Sequence, residues 1–418
     1  MKIVLSHPIG NANVRAVASG FIKANLMDKF HTTIATFPGG LLDFVGSIGP
    51  LAEIRRRRLD ASLKPFTRLY PWYELGRLTA SKAGLSKLIQ HETGLFSIDS
   101  VIQNFDQHVA SSLHRVKDRK TTAVYAYEDG AAFSFGKAQK LGIQCLYDLP
   151  IGYWRTARQL LMQERERWPE WDSTMTGFKD SEAKLARKDE ELRLADQIFV
   201  ASQFTAKTLQ SYPGALPPVN VVPYGFPPVF EKRQYSVTIK RRPLKLLFVG
   251  GLSQRKGIAN LFAAVDMFKH HVQLTVVGRK ASDNCPALDA ALAKHCWIPS
   301  MPHHLVIELM REQDVLVFPS LFEGFGLVIT EAMSQGTPVI TTDRTAGPDL
   351  ITHKQNGWLV EAGSTQALQK TIEDLLRQPE QIVAAGQAAI ETARSRPWPV
   401  YGYELAKVIT QLNDKSMA

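Results

Sequence analysis

One arrangement recurs twice along this chain and leaves it few folds to adopt: apolar runs of strand length alternate with stretches of helical periodicity. In the first half "KIVLSH", "HTTIATF", "AVYAYED", "IQCLYDLP", "QIFVAS" and "VNVVPYGF" are the expected strands, with helices such as "VRAVASGFIKANL" and "AAFSFGKAQKLG" between them. In the second half "LKLLFVGG", "VQLTVVG", "DVLVFPS" and "PVITT" play the same part. Successive parallel strands need a crossover and a helix supplies it, so each half predicts a parallel sheet with helices on its faces. The stretch "PPVFEKRQYSVTIKRRP", proline at both ends and basic within, predicts an exposed link between the halves. At 418 residues the chain also exceeds what one core usually serves. The expected class is α/β, two doubly wound domains facing across a cleft: a first domain over 1–228, a second over 241–397, and a closing helix over 398–418. Ligands of such sheets sit beyond the carboxyl ends of the strands, which directs attention to the loops there.

A formal net charge of +10 points to polyanionic partners: nucleic acid, anionic lipid or phosphorylated small molecules. Much of the excess falls in "EIRRRRLDASLKPFTRLYPWYELGRLTASKAGLSK", where Arg55 to Arg58, Lys64, Arg68, Arg77, Lys82 and Lys87 alternate with Leu69, Tyr70, Trp72, Tyr73 and Leu75. That mixture suits either an anionic membrane surface or a solvated basic helix with its rings turned to the core. No apolar run approaches the roughly 18 residues of a membrane span. "MKIVLSHPIG" does not read as a secretory leader, and three scattered cysteines fit a reducing cytoplasm better than a disulfide framework. His295, Cys296 and Cys285 lack the second ligand pair that a tetrahedral metal site requires.

Two loops of the second half carry the chemistry. "VGGLSQRKG" follows a strand with paired glycines and places Arg255 and Lys256 just before a helix that begins near Gly257. Backbone amides at a helix start, with two cations beside them, form a natural diphosphate site, whereas the dinucleotide fingerprint G-x-G-x-x-G is absent. "FPSLFEGFGLVITEAMSQGTPVI" is the second. Its helix starts at Gly324, Phe325, Gly326 and Leu327 without the Ser, Thr, Asp or Asn that commonly satisfies an unpaired amide. A sugar hydroxyl or phosphate oxygen fits there, since glycines let a ligand approach the backbone. Glu323 in the loop and Glu331 on the helix can face one cleft at different depths, each accepting hydroxyl donors; read as structure alone, one is a turn residue and the other a surface residue.

"FVGGLSQRKGIANLFAAV", "LVFPSLFEGFGLVITEAMSQGTPVI" and "AGPDLITHKQNGWLV" resemble successive motifs of the retaining nucleotide-sugar glycosyltransferases of family 4, which have the GT-B fold of two Rossmann-like domains. "ADQIFVASQF" and "VNVVPYGF" resemble the end of that family's first domain, and the match is specific over roughly residues 190 to 365. The resemblance implies a donor cleft between the domains, with Arg255 and Lys256 on the diphosphate, Glu323 by the donor sugar, Glu331 on the ribose hydroxyls, and amides of Phe325, Gly326 and Leu327 offered to sugar or phosphate. Trp297 and Ile298 would frame the base. Gly251 stands where many members have an arginine, so Arg255 would carry more of the charge. In the first domain Asp148 occupies roughly the place of a catalytic-region histidine, Tyr127, Glu128 and Asp129 end the preceding strand, and Gly10 and Asn11 stand for a glycine loop after the first strand. The catalytic set implied is Glu323, Lys256 and Asp148.

The expected reaction moves a hexose from a nucleoside-diphosphate sugar to an acceptor hydroxyl with retention, in polysaccharide or glycolipid synthesis. No D-x-D lies in these loops, so neither a metal nor another cofactor is expected. The expected partners are the donor, a sugar or lipid-linked acceptor and an anionic membrane surface at a cytoplasmic location, with no nucleic acid. Alternatives are an epimerase or sugar phosphorylase on the same scaffold, and a non-enzymatic basic protein that binds nucleic acid.

Overall fold

The computed structural model describes residues 1–39, 57–113, 121–235 and 242–417. Arg55 and Arg56 of the basic stretch and residues 236–241 of the link lie outside the described residues. The first sheet has seven strands, β1 (Ile3–Ser6), β2 (Met27–Thr32), β3 (Thr67–Leu69), β4 (Ala123–Tyr127), β5 (Gln144–Leu149), β6 (Gln197–Val200) and β7 (Val219–Val221), in the order β3-β2-β1-β4-β5-β6-β7. The second has six, β8 (Leu244–Val249), β9 (Val272–Val277), β10 (Cys296–Ile298), β11 (Val315–Phe318), β12 (Val339–Thr342) and β13 (Gly357–Val360), in the order β10-β9-β8-β11-β12-β13. Neighbouring strands run parallel, and β1, β4, β11 and β12 are buried along their whole length, which is why they read as unbroken apolar or small-residue runs.

Both strand orders reverse once. In the first sheet the reversal lies between β1 and β4, in the second between β8 and β11. Crossovers leave such a point in opposite directions, so the loops following these strands part and open a crevice. Those loops hold His7 to Asn11 and Glu128 to Gly130 in one domain, Gly250 to Gly257 and Pro319 to Gly326 in the other.

Two local readings of the sequence shift. The second strand is Met27–Thr32 rather than "HTTIATF", because the Thr33 hydroxyl and amide both bond the Pro8 carbonyl, at 2.6 and 3.3 Å, and draw the chain out of the ladder. The basic aromatic stretch supplies β3 at the sheet edge and a helix, Trp72–Lys82, with Trp72 two-thirds exposed. The helix Trp154–Arg167 and the strand β13 are further elements that periodicity alone did not single out.

The domains are joined by more than the link. The last helix, Trp398–Met417, packs on Ala12–Lys23 of the first domain so closely that a methyl group on Gly20 would sit 2.2 Å from the Gly402 carbonyl oxygen. Near the crevice, Leu161 and Met175 of the first domain form a small core with Leu321 and Phe322 of the second, flanked by Ile151, Phe178 and Phe204. Trp171 stacks on Phe262 with ring centres 6.0 Å apart. No helix among the described residues is long and apolar enough to cross a membrane.

Replacing Gly20 by Val should destabilise the protein by about 1–3 kcal/mol through overpacking of this helix crossing. Thermal unfolding checks it: an unchanged midpoint contradicts the close docking of the last helix on the first domain.

Candidate functional site

The loop after β8 turns through Gly250 and Gly251 into a short helical turn, Gln254–Lys256, capped by the Ser253 hydroxyl. Gly257 then adopts φ 69° and starts the helix Ile258–Val265. Here glycine is required twice over, by the left-handed backbone and by contact, since a Cβ would lie 2.1 Å from the Pro319 carbonyl oxygen. That contact seats the loop after β8 against the loop after β11. The Arg255 carbonyl accepts from the Leu321 amide at 2.9 Å, which fixes the relative height of the two loops.

Both cations then turn to one carboxylate. Arg255 Nη1 donates to the Phe322 carbonyl at 2.8 Å and to Glu323 Oε2 at 3.3 Å, and Lys256 Nζ pairs with the same Oε2 while standing 4.8 Å above the Phe318 ring. Burial lowers the pKa of both groups. For Lys256 burial is the larger effect and the Arg255 guanidinium the second, taking it well below the ordinary lysine range, with the touching carboxylate acting the other way. One carboxylate thus serves two cations, and a further anion in the groove would favour their charged forms.

Beside this trio the helix Leu327–Ser334 begins at Gly326, φ 88°, with no side-chain cap. The positive end of its dipole and its free amides therefore face the same space. Glu331, one turn on, pairs with His303 Nε2 at 2.9 Å. His303 opens the helix His303–Glu312, which follows β10, the strand that carries Trp297 and Ile298. The Trp297 indole donates to the Gly278 carbonyl at 2.9 Å, and Gly278 packs so tightly on Gly250 that a Cβ would lie 1.8 Å from the Gly250 oxygen.

The first domain closes the other side. Tyr224, after β7, meets Phe325 with ring centres 4.9 Å apart, and its hydroxyl accepts from the Asn13 amide at 3.3 Å. Asn13 lies in the first turn of Ala12–Lys23, whose N-cap Asn11 makes no capping bond. Two uncapped helix starts thus flank Tyr224, one from each domain. Gly10 sits just before, its carbonyl held by Arg15 Nε at 2.7 Å. Gly324 is clamped between the domains: its carbonyl accepts from Ser202 at 2.6 Å and Thr205 at 2.9 Å, and a Cβ would meet the Pro150 oxygen at 1.9 Å. Gln254 is drawn across in the same way, by Thr174 Oγ1 at 3.0 Å and Glu164 Oε2 at 3.1 Å.

The structure therefore brings Arg255, Lys256, Glu323, Phe325, Gly326 and Leu327 together, places Glu331 and Ile298 to one side, and sets Gly10 and Asn11 across Tyr224. Asp148 lies deeper. It is 3% exposed at the end of β5, with Oδ2 accepting the Tyr125 hydroxyl at 2.6 Å, and its charge is felt by Tyr127, Tyr224 and Tyr401. Burial pushes its pKa up to about 7 against the Tyr125 hydrogen bond. Tyr224, Ser202, Thr205 and Gln254 escaped the sequence reading, although Tyr224 stands in a quoted motif. Among the described residues Cys285, Cys296 and His295 form no ligand set: the Cys285 thiol donates to the Glu170 carbonyl and His295 stacks on Phe262. A surface depression around Asp266, Lys269, His270 and Cys296 opens at the start of β9, the end of the sheet opposite these loops.

Residues 230–392 match the model of a family described as glycosyl transferases group 1. The alpha-maltose-1-phosphate synthase of Mycolicibacterium smegmatis is 30% identical over 166 residues, covering 36% of this chain and 43% of that protein. The phosphatidyl-myo-inositol mannosyltransferase of Mycobacterium leprae is 31% identical over 172 residues, covering 39% of this chain and 45% of that protein. The chain thus spans less than half the length of these curated relatives. Solved structures are similar over nearly the whole chain: sucrose-phosphate synthase from Thermosynechococcus elongatus superposes with TM-score 0.64 at 18% identity, covering 99% and 100% of the two chains. The Anabaena protein HepE, solved with UDP-glucose, gives 0.62 at 15% identity, covering 98% and 100%. At these identities the likeness carries the fold, which is GT-B.

Asp148 makes a stability prediction with a definite sign. Its folded pKa lies above the unfolded value, so the group favours folding at low pH, and that contribution is lost as pH rises from about 4 to about 7. In chemical denaturation, the stability of the wild type minus that of Asp148→Asn should fall by up to about 4 kcal/mol over this range; a constant difference contradicts the buried position of the carboxyl.

Proposed function

We propose that this chain, whose residues 230–392 carry a glycosyl transferases group 1 module, moves a hexose from a nucleoside-diphosphate sugar to an acceptor hydroxyl with retention at the anomeric carbon. The observation that carries the reading is the convergence of Arg255, Lys256 and Glu323 beside an uncapped helix start at the sheet's reversal point. A diphosphate supplies that further anion. Binding it frees Glu323 from Lys256, and the released carboxylate accepts hydroxyls of the sugar. Glu331, exchanging His303 for the ribose, and Ile298 and Trp297 beside the base, complete the donor site. The resemblance to family 4 and the UDP-glucose bound by HepE support this assignment.

Transfer breaks the anomeric carbon–oxygen bond to the diphosphate and forms a bond from the acceptor oxygen on the same face, with the acceptor proton passing to the leaving phosphate. The charge that develops on that phosphate meets Arg255, Lys256 and the amides of the helix start, held in place before the reaction and largely out of water. These groups take the charge-stabilising role without calling on a divalent cation. Lys256→Ala should lower turnover on the order of 10²-fold, whether or not EDTA is present. Release of nucleoside diphosphate from a panel of sugar donors measures this, and full activity in the variant contradicts the assignment. Product analysis separates the rivals, because an epimerase needs no acceptor and a phosphorylase needs free phosphate.

A lipid-linked acceptor at an anionic membrane fits the first domain. Leu69, Trp72 and Leu75 are 45%, 68% and 44% exposed, and the exposed Lys64, Arg68, Lys82 and Lys87 stand on the same stretch. Apolar side chains at headgroup depth with cations around them favour such a surface. Flotation with phosphatidylglycerol vesicles should carry the protein up, and the pair Leu69→Ala with Trp72→Ala should weaken it several-fold. No flotation of the wild type contradicts this part of the reading.

A further inference from the structure

A second cluster lies away from the groove, where the loop before the helix Ile98–Ser112 meets the start of the helix Glu182–Leu194. His91 Nε2 stands 3.2 Å from Glu92 Oε1 and 3.1 Å from Asp180 Oδ1, and the three ligand atoms lie within 4.8 Å of one another. Tetrahedral zinc with bonds of roughly 2.0–2.2 Å to nitrogen and carboxylate oxygen sets its ligand atoms about 3.3–3.5 Å apart, close to the two separations from His91 Nε2.

The independent observation is Asp99. Its side chain is 4% exposed, and Oδ2 has no hydrogen-bond partner although it points at His91 Nδ1 from 3.8 Å. A buried carboxylate oxygen without a partner is costly. Its place beside the far nitrogen of an imidazole is that of the carboxylate which orients a metal-bound histidine: Nδ1–H turned to Asp99 leaves the Nε2 lone pair facing Glu92 and Asp180. Glu92 is itself set in place, at φ 56° in the left-handed region, with the Ser181 amide at 3.0 Å and the Ser181 hydroxyl holding its carboxylate. The charged neighbours are Lys184, which bonds Asp99 Oδ1 at 3.0 Å and Asp180 Oδ1 at 3.1 Å; Arg187, 3.8 Å from Asp99 and shared with Asp129; and Arg158, which bonds the Asp180 carbonyl. Three carboxylates, Glu92, Asp99 and Asp180, thus surround the imidazole, with Lys184, Arg187 and Arg158 as the cations among them.

We propose that His91, Glu92 and Asp180 bind one zinc ion, with Asp99 as the residue that positions His91 and water at the fourth coordination place. The imidazole donor selects zinc over calcium or magnesium, which take oxygen ligands. The ion ties the loop that follows the exposed basic helix to the two helices beneath it, and has no part in the donor groove.

The test uses the full chain stripped with a chelator and titrated with Zn²⁺, Co²⁺ and Ca²⁺ by calorimetry and thermal melting. One Zn²⁺ per chain with a raised melting temperature is expected, together with weaker Ca²⁺ binding and a tetrahedral Co²⁺ visible spectrum. His91→Ala should abolish the Zn²⁺ and Co²⁺ effects while melting like the metal-free wild type, and Asp99→Asn should weaken Zn²⁺ binding about 10–100-fold. If His91→Ala does not fold, Glu92→Gln serves in its place. Absence of stoichiometric Zn²⁺ binding, Ca²⁺ binding as tight as Zn²⁺, or Zn²⁺ binding unchanged in His91→Ala overturns the site.

Discussion

Two half-buried cations share one carboxylate, and the loops of the second domain bring them together. Arg255 and Lys256 come from the loop after β8, Glu323 from the loop after β11. At a few ångströms, like charges at an effective dielectric near 20 repel by several kcal/mol, so Glu323 is what lets both groups stand side by side. A site of this kind is stable when empty and still prefers an anion, and a diphosphate exchanges one negative partner for a larger one.

Backbone contacts hold that arrangement. Gly257 against Pro319, Gly278 against Gly250 and Gly324 against Pro150 are approaches that no side chain permits. The first two lock the loops of the second domain to each other, and the third locks them to the first domain, where Ser202 and Thr205 both bond the Gly324 carbonyl. The strap from Trp154 to Met175 adds apolar contact through Leu161, Trp171 and Met175. In the proposed reaction these contacts set acceptor-side and donor-side residues near one another, with Tyr224 between them.

The fold was legible because the central strands of both sheets are buried on both faces and so announce themselves as apolar runs separated by helical periodicity. That the loops after β8 and β11 meet was legible too, since glycine pairs, adjacent cations and an uncapped helix start marked both of them. What could not be read depends on contacts between residues far apart in sequence. Asp148 looked like a cleft residue, yet four tyrosines from distant segments surround it. Glu331 looked like a free carboxylate, yet His303 reaches it from the preceding helix. Helix Trp154–Arg167 carries few apolar residues at helical spacing because much of it lies at the surface, and its role emerges only where it touches the second domain. Tyr224 resembles any core aromatic until Asn13 and Phe325 are seen on either side of it.

If this groove holds a sugar nucleotide by its diphosphate, a crystal structure grown with a non-hydrolysable nucleoside-diphosphate sugar should show phosphate oxygens within hydrogen-bond distance of Arg255, Lys256 and the amides near Gly326, with Glu323 turned from Lys256 to the sugar. A nucleotide bound elsewhere, or phosphates that leave the Lys256–Glu323 pair intact, would contradict it.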